Sequence, residues 1–313
     1  ENLEALDKFV VKDEACYRCG IRCHKNVYDA DAEGKPTRFR AKLDFEPLNL
    51  LSSNLGIFDP DQACTLVELV DEMGMDSISC GVTLSYAMRY NDLHREDGLA
   101  MESGPFFGDF ESAKKAIEDL GVGRRPDLGQ GTLRLSERLG EEDYAMHSKG
   151  IEFPAYLPQT NPGYPWALAG GHMSMRTYLL LLNERETGME YWLDAITNPT
   201  RGMSILRDDI LGSCKFTGLG TDQMATAVAD LTGLEIDAEQ IEQMVLRTFL
   251  RGYRLEKQQG FEIEDYSLPG VVHLEYPQIE LPYFNSREFF EQLRGQVMEK
   301  FDSMLEETIG SIA

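Results

Sequence analysis

The chain has 313 residues, 42% of them hydrophobic, and a formal net charge of −24 at pH 7. That length suffices for two domains with a substantial core, and the hydrophobic share is ordinary for a globular protein. The acidic balance argues against nucleic acid or an anionic membrane as partner, because phosphates would be repelled.

The sequence starts with Glu1 rather than Met, and reads as the interior of a longer polypeptide, so the lack of a signal peptide excludes little. Cysteines come early: Cys16, Cys19 and Cys23 form a C-x-x-C-x-x-x-C run in ACYRCGIRCHKN. Arg38 to Phe45 reads as a short strand. Asp61 to Met75 places Leu66, Leu69, Val70 and Met73 at helical spacing, with Gly74 as the stop. The Pro-, Gly- and aromatic-rich stretch from Phe153 to Gly171 follows a charged region, and a domain boundary is expected near residue 150. Long irregular segments of this kind often carry function. The apolar run Tyr178 to Leu182 is too short for the roughly 20 residues of a membrane span and reads as buried helix. Asp237 to Gln240 is a capping box that opens a helix through Leu255, with Ile241, Val245, Phe249 and Tyr253 on one face. Val271 to Leu274 is a second candidate strand. Ser286 can cap a last helix carrying Phe289, Leu293, Val297, Phe301 and Met304. The expected fold is mainly α, in two multihelical domains, 1–150 and 151–313.

Three clustered thiolates and a remote one, Cys214 in DDILGSCKF, can make the four-cysteine shell of a [4Fe–4S] cluster. The trio supplies three corners from one loop, and Cys214 ties that loop to a distant part of the chain. Four-cysteine ligation closes every iron, which suits electron transfer. A structural four-thiolate zinc site also fits two thiolate groups apart in sequence, although a second C-x-x-C pair is missing. A disulfide is poorly served by three cysteines this close together. His24, next to Cys23, is a spare ligand or a neighbour on the loop. Cluster-forming thiols imply a reducing, anaerobic cytoplasm. Cys64 and Cys80 are the two remaining cysteines.

A second theme is duplicated. Asp71-Glu-Met-Gly-Met-Asp76 reads D-x-x-G-hydrophobic-D, and Asp209-Ile-Leu-Gly-Ser-Cys214 reads D-x-x-G-small-C. An aspartate at a helix end can accept two parallel N–H bonds from a guanidine-like edge, such as that of a pterin. The plainer reading is two helix-end turns, each with a terminating glycine. The second motif ends on the remote cluster cysteine, which strengthens the pairing.

With these motifs in order, the chain resembles the aldehyde ferredoxin oxidoreductase family of tungstopterin enzymes. EPLNLLSSNLGI (Glu46 to Ile57), GMDSISCGVTLSYAMR (Gly74 to Arg89) and KGIEFPAY (Lys149 to Tyr156) also look like family segments. The resemblance runs from about residue 10 to the C-terminus and covers the family's two helical domains. The family's β-rich, pterin-binding N-terminal domain is missing from it, so the chain is expected to be the C-terminal portion of a larger enzyme.

The resemblance implies a tungsten (or molybdenum) ion held by two pterin dithiolenes beside a [4Fe–4S] cluster. Asp71 and Asp209 would each hold one pterin, Asp76 would meet pterin polar groups, and Cys214 would link cluster and pterin. Glu46, 25 residues before Asp71, falls where the family places an active-site glutamate and would serve as general base. His172, in AGGHMSM, falls at a substrate-pocket histidine. The implied reaction oxidises an aldehyde to a carboxylic acid, with electrons passed to ferredoxin or an iron–sulfur electron-transfer subunit. Cys80 stands where the family carries Thr or another small residue. As a metal ligand it would turn the reading toward the tungsten subunit of a class II benzoyl-coenzyme A reductase acting on an acyl thioester; as a buried free cysteine it is simply core. A homo-oligomer is an open option. A zinc-stapled helical module is the remaining reading, and it leaves the duplicated aspartates without a role.

Overall fold

The structure, a computed structural model, describes residues 8–156, 158, 163–168, 188–274 and 286–309. The chain divides into two compact units, Glu1–Ala155 and Tyr156–Ala313, and the fold is mainly α-helical.

The first unit opens with an antiparallel meander: β1 (Phe9–Glu14), β2 (His24–Ala30) and β3 (Pro36–Lys42). Phe9 pairs with Asp29 and Glu14 with His24, so the loop from 15 to 23 is the tip of the first hairpin. β1 and β2 were not expected from sequence. Their polar faces are solvated and only Val27 of β2 is buried, so neither shows the clean alternation that marks a half-buried strand. The expected strand Arg38 to Phe45 is shifted: β3 ends at Lys42, and Phe45 already belongs to helix α1 (Phe45–Leu50).

Helix α2 (Pro60–Glu72) starts at Asp59, whose carboxylate accepts the Asp61 and Gln62 N–H groups, with Pro60 at the first helical position. Leu66 and Val70 are fully buried, as their spacing predicts, whereas Met73 is exposed at the end of the helix. Arg40 of β3 locks the meander to α2. Its guanidinium donates to Glu68 Oε2 at 2.9 Å, Asp29 Oδ1 at 3.0 Å, Asp61 Oδ1 at 3.1 Å and Thr65 Oγ1 at 3.0 Å. Helix α3 (Ser77–Leu93) runs through the core and buries residues on all sides, among them Leu84, Ala87 and Met88. Helices α4 (Phe110–Gly121) and α5 (Gly131–Leu139) cover it with Ala113, Ile117 and Leu135. A two-residue hairpin, β4 (His147–Ser148) and β5 (Ile151–Glu152), closes the unit.

The second unit contains α6 (Met189–Thr197), α7 (Ser204–Ile210), α8 (Thr221–Thr232), α9 (Ala238–Gln258) and α10 (Arg287–Ile309). The capping box at Asp237 and Gln240 forms as expected, and Ile241, Val245, Phe249 and Tyr253 are the buried face of α9. In α10 the Ser286 hydroxyl accepts the Phe289 N–H, but the buried row is Phe290, Leu293, Val297, Phe301 and Leu305. The row expected through Phe289 and Met304 is off by one residue at each end. Leu293, Val297 and Phe301 fall as expected; at each end a step of three and a step of four are exchanged, and a turn of 3.6 residues allows either. Val271 to Leu274 is not a strand: Gly270–His273 form a short 3-10 turn directly after Pro269. Among the described residues no helix is long and apolar enough to cross a membrane.

Candidate functional site

The cysteine trio sits on the tip of the β1–β2 hairpin. The antiparallel ladder holds both ends of the loop, and the Cys19 N–H donates to the Cys16 carbonyl at 2.9 Å to form a turn inside it. Cys16 and Cys23 are exposed, Cys19 is partly so, and all three are free thiols. The residues just before Cys19 and Cys23, Arg18 and Arg22, adopt left-handed backbone with φ of 59° and 51°. Non-glycine residues rarely do so, and such strain gathers at functional sites. His24 lies beside the loop, with its Nε2 3.5 Å from Cys16 Sγ. Among the described residues no three His, Cys, Asp or Glu side chains are gathered into a metal-binding group.

The two D-x-x-G motifs fold into the same object. At the end of α2 the Gly74 N–H donates to the Asp71 carbonyl and the Met75 N–H to the Val70 carbonyl, both at 3.0 Å, with Gly74 at φ 67°. At the end of α7 the Gly212 N–H donates to the Asp209 carbonyl at 3.2 Å and the Ser213 N–H to the Asp208 carbonyl at 2.8 Å, with Gly212 also at φ 67°. Both are Schellman turns, and the aspartate holds the same place in each. That place is unfavourable for an anion, since the helix C-terminus already carries partial negative charge. Neither carboxylate has a hydrogen-bond or ion-pair partner among the described residues. Partial burial pushes the Asp71 pKa up, countered by the Lys42 charge, and raises that of Asp209, helped by the neighbouring Asp208 charge and countered by Lys215. Two aspartates held at helix C-termini, with no partner among the described residues, offer acceptors that fit a cationic or N–H-rich ligand.

Asp76, the last residue of its motif, has a definite local duty: its Oδ1 accepts the Ser79 N–H at 2.7 Å and caps α3. Cys214 is exposed and follows the second turn directly. Its loop is tied down from α7, where Arg207 pairs with the buried Asp208 and donates to the Leu219 carbonyl and to Thr221 Oγ1, each at 3.0 Å.

Glu46 lies in the first turn of α1, partly buried, and its Oε2 accepts the Ala155 N–H at 2.6 Å. Two features fix this pairing. Gly81 of α3 lets α1 approach so closely that a Cβ there would stand 2.6 Å from the Leu50 carbonyl oxygen. Glu152, only 4% exposed, accepts the Thr132 N–H at 2.7 Å and the Ser79 hydroxyl at 2.9 Å. It thereby seats the hairpin that leads to Ala155 against α3 and α5. Glu46 and the cap of α3 are thus braced by one strand.

Cys80 is a core residue. It is 5% exposed among apolar neighbours, and burial, assisted by the Asp76 charge, pushes its thiol up to about 12. It is held as a neutral thiol rather than a ready thiolate. His172 and the run Tyr178 to Leu182 lie outside the described residues, as does much of the irregular stretch from Phe153 to Gly171. Gly81, Glu152 and the Arg207–Asp208 pair were missed in the sequence. Each acts through tertiary contacts, and only the place of Gly81 inside a helix could have signalled a close approach.

The family model for aldehyde ferredoxin oxidoreductase, domains 2 and 3, matches residues 1–308. A tungsten-containing aldehyde ferredoxin oxidoreductase of Pyrococcus furiosus is 28% identical over 252 residues, which span 74% of this chain and 40% of that protein. A WOR-like subunit of an aliphatic sulfonate oxidoreductase from the same organism is 31% identical over 161 residues, 47% of this chain. The active-site complex BamBC of benzoyl coenzyme A reductase, solved with 1,5-dienoyl-CoA, superimposes with a TM-score of 0.62 at 17% identity, covering 98% of this chain and 54% of that one. The last likeness is one of fold. The chain spans about 40% of the length of its aldehyde-oxidising relatives. It belongs to the aldehyde ferredoxin oxidoreductase family and carries that family's domains 2 and 3.

Proposed function

We propose that this chain supplies the helical part of a tungstopterin- and [4Fe–4S]-dependent oxidoreductase. The observation that carries the reading is the twin Schellman turn, with an unpartnered aspartate at the same place in each and a free, exposed cysteine closing the second. Asp71 and Asp209 would each hold one pterin through N–H groups, which a carboxylate accepts in parallel. Cys16, Cys19, Cys23 and Cys214 would be the cluster thiolates, and thiolate donors suit iron–sulfur clusters. When bound, the metal and its pterins supply two-electron chemistry, and the cluster supplies one-electron steps.

The protein's own contribution is positional and acid–base. Glu46 is held by the Ala155 N–H through one oxygen, Oε2. A proton leaving the substrate would be taken by its carboxylate, or given back to a substrate in the reverse sense. His172 is proposed as a pocket residue that orients the substrate carbonyl. Electrons would leave to ferredoxin or to an iron–sulfur subunit, and the rest of the pterin site would come from a further pterin-binding domain.

Two substrate classes follow. The names of the sequence relatives support an aldehyde, oxidised to its acid. The fold likeness across 98% of the chain supports setting a reductase of an aromatic acyl thioester, like the tungsten subunit of benzoyl coenzyme A reductase, beside it and ahead on structural coverage. Cys80, buried among apolar neighbours, would enter only as a metal ligand, a role that would favour the second class.

The test is anaerobic assay of the full-length, metal-loaded enzyme with an artificial acceptor and a panel of aldehydes, and with a reduced donor and aromatic acyl thioesters. Turnover in either arm supports the redox reading and selects the substrate class. Full tungsten and iron occupancy without turnover in both arms would overturn it. One zinc per chain without acid-labile sulfide would replace it with a structural module.

A further inference from the structure

The tip of the cysteine hairpin reverses the charge of the molecule. The chain as a whole carries −24, yet the stretch from Lys8 to Tyr28 holds Lys8, Lys12, Arg18, Arg22 and Lys25 against only Asp13 and Glu14. Both acids are occupied inside the hairpin. Asp13 accepts from Lys25 at 2.6 Å, and Glu14 accepts from Asn26 at 2.6 Å and from the Tyr28 hydroxyl at 3.4 Å. Arg18 and Arg22 have no ion-pair partner among the described residues. Tyr17 is 88% exposed, with the Arg18 guanidinium 5.2 Å from its ring centre, and Ile21 is 45% exposed. An exposed Tyr, an apolar residue and two uncompensated arginines on one loop match the residue types that anchor protein interfaces. Both arginines sit in left-handed backbone, at φ 59° and 51°, a conformation that glycine would hold with less strain.

We infer that this tip, built from Tyr17, Arg18, Ile21 and Arg22, is the docking surface for an acidic, small iron–sulfur carrier protein. The inference rests on the redox reading of the cysteine loop. Charge complementarity names the occupant: a basic patch on an otherwise acidic protein steers an acidic partner to one place and repels it elsewhere. The location also fits the task. Tyr17 and Arg18 lie between Cys16 and Cys19, and Ile21 and Arg22 between Cys19 and Cys23. A carrier seated there is within a residue of every thiolate of the trio. When bound, a cluster on these thiolates would supply one electron per encounter to the carrier's iron–sulfur centre, and Tyr17, Arg18, Ile21 and Arg22 would hold the carrier beside its ligands.

The experiment compares the full-length holoenzyme with a double variant Arg18→Glu/Arg22→Glu. A control, Arg95→Glu/Lys114→Glu, makes the same charge change in the turn after α3 and on α4. The probe is a purified ferredoxin of strongly negative net charge. Dissociation constants are measured by calorimetry at about 10 mM and about 300 mM salt, where screening lengths differ several-fold. The tip variant should bind at least roughly tenfold more weakly at low salt, with the gap shrinking at high salt, while the control binds like the parent. Tyr17→Ala should weaken binding at both salt levels. Iron and sulfide content and reduction of a small viologen dye should be unchanged in the tip variant. Unchanged affinity in the tip variant overturns the proposal, and so does a shifted cluster potential with parental affinity, which would assign the arginines to the cluster instead. A parent enzyme that binds the carrier but turns over no substrate would leave the docking surface standing and sink the redox function.

Discussion

The Glu46 carboxylate and the Ala155 backbone N–H meet at 2.6 Å across a sequence separation of 109 residues. The bond is accepted by one carboxylate oxygen, Oε2. Glu46→Gln keeps an amide oxygen for Ala155 and removes the carboxylate charge that a general base needs. Turnover of the full-length enzyme should fall by about 10²–10⁴-fold, with tungsten and iron content at the parental level. Parental turnover at full occupancy would remove Glu46 from the proton step.

Cys16→Ser, Cys19→Ser and Cys23→Ser, each in the full protein, should lose cluster iron and acid-labile sulfide, and so should Cys214→Ser. The serine hydroxyl does not replace a thiolate as an iron ligand of comparable softness. Iron, sulfide and the reduced-cluster EPR signal are the readout. Full cluster content in all four variants would reject the ligand assignment.

Gly81 is where α1 and α3 touch. Gly81→Ala would place a methyl 2.6 Å from the Leu50 carbonyl oxygen, so the helices must part. Overpacking of this kind typically costs ~1–3 kcal/mol. Denaturant unfolding should show that loss, and turnover should drop with it because α1 carries Glu46. Gly295→Ala, on α10 with nothing within 4 Å of the new methyl, should instead be neutral or stabilising by up to ~1 kcal/mol. Equal effects at the two sites would contradict the close approach.

The unpartnered aspartates predict a pH dependence in protein freed of its cofactors. Burial raises the pKa of both Asp71 and Asp209. A raised folded-state pKa means that the folded state binds the proton more tightly, so the contribution to stability is fully present below the ordinary aspartate range and is lost as pH rises through the folded-state values. At neutral pH Asp71→Asn/Asp209→Asn should therefore be slightly more stable than the parent, by less than ~1 kcal/mol per site after solvent screening. The gap should close as the pH is lowered through the carboxylate range. The same variant should retain less pterin in the full-length enzyme. A parent that is more stable than the variant at neutral pH would mean that the carboxylates have partners in the apoprotein.

Much of the helical frame was legible because its signals are local. Asp237 and Gln240 cap α9 within one turn, and the buried face from Ile241 to Tyr253 repeats at helical spacing. Gly74 and Gly212 could be read as stops because left-handed backbone at a helix end favours glycine. The meander was less legible. β1 and β2 gain their order from cross-strand pairing and from Arg40, whose four acceptors come from β2 and α2. The turn at Gly270–His273 was mistaken for a strand because two valines outweighed the Pro269–Gly270 break. At the site, residue types and spacing pointed to the cysteines and the aspartates. The brace behind them, Glu152 with Ser79 and Thr132, leaves no periodic trace, since its three members come from three separate elements.

Glu152 also sets the smallest piece of the first unit that can be cut out whole. A fragment ending at residue 150 would contain every helix from α1 to α5 and all of the cysteine loop. It would still leave the Thr132 N–H and the Ser79 hydroxyl without the acceptor that both now share. Five residues more, through Ala155, restore that acceptor and the N–H that holds Glu46. The short strand after the last helix is therefore the closing stitch of the unit, and an expression boundary placed before it would separate the helices from what aligns them.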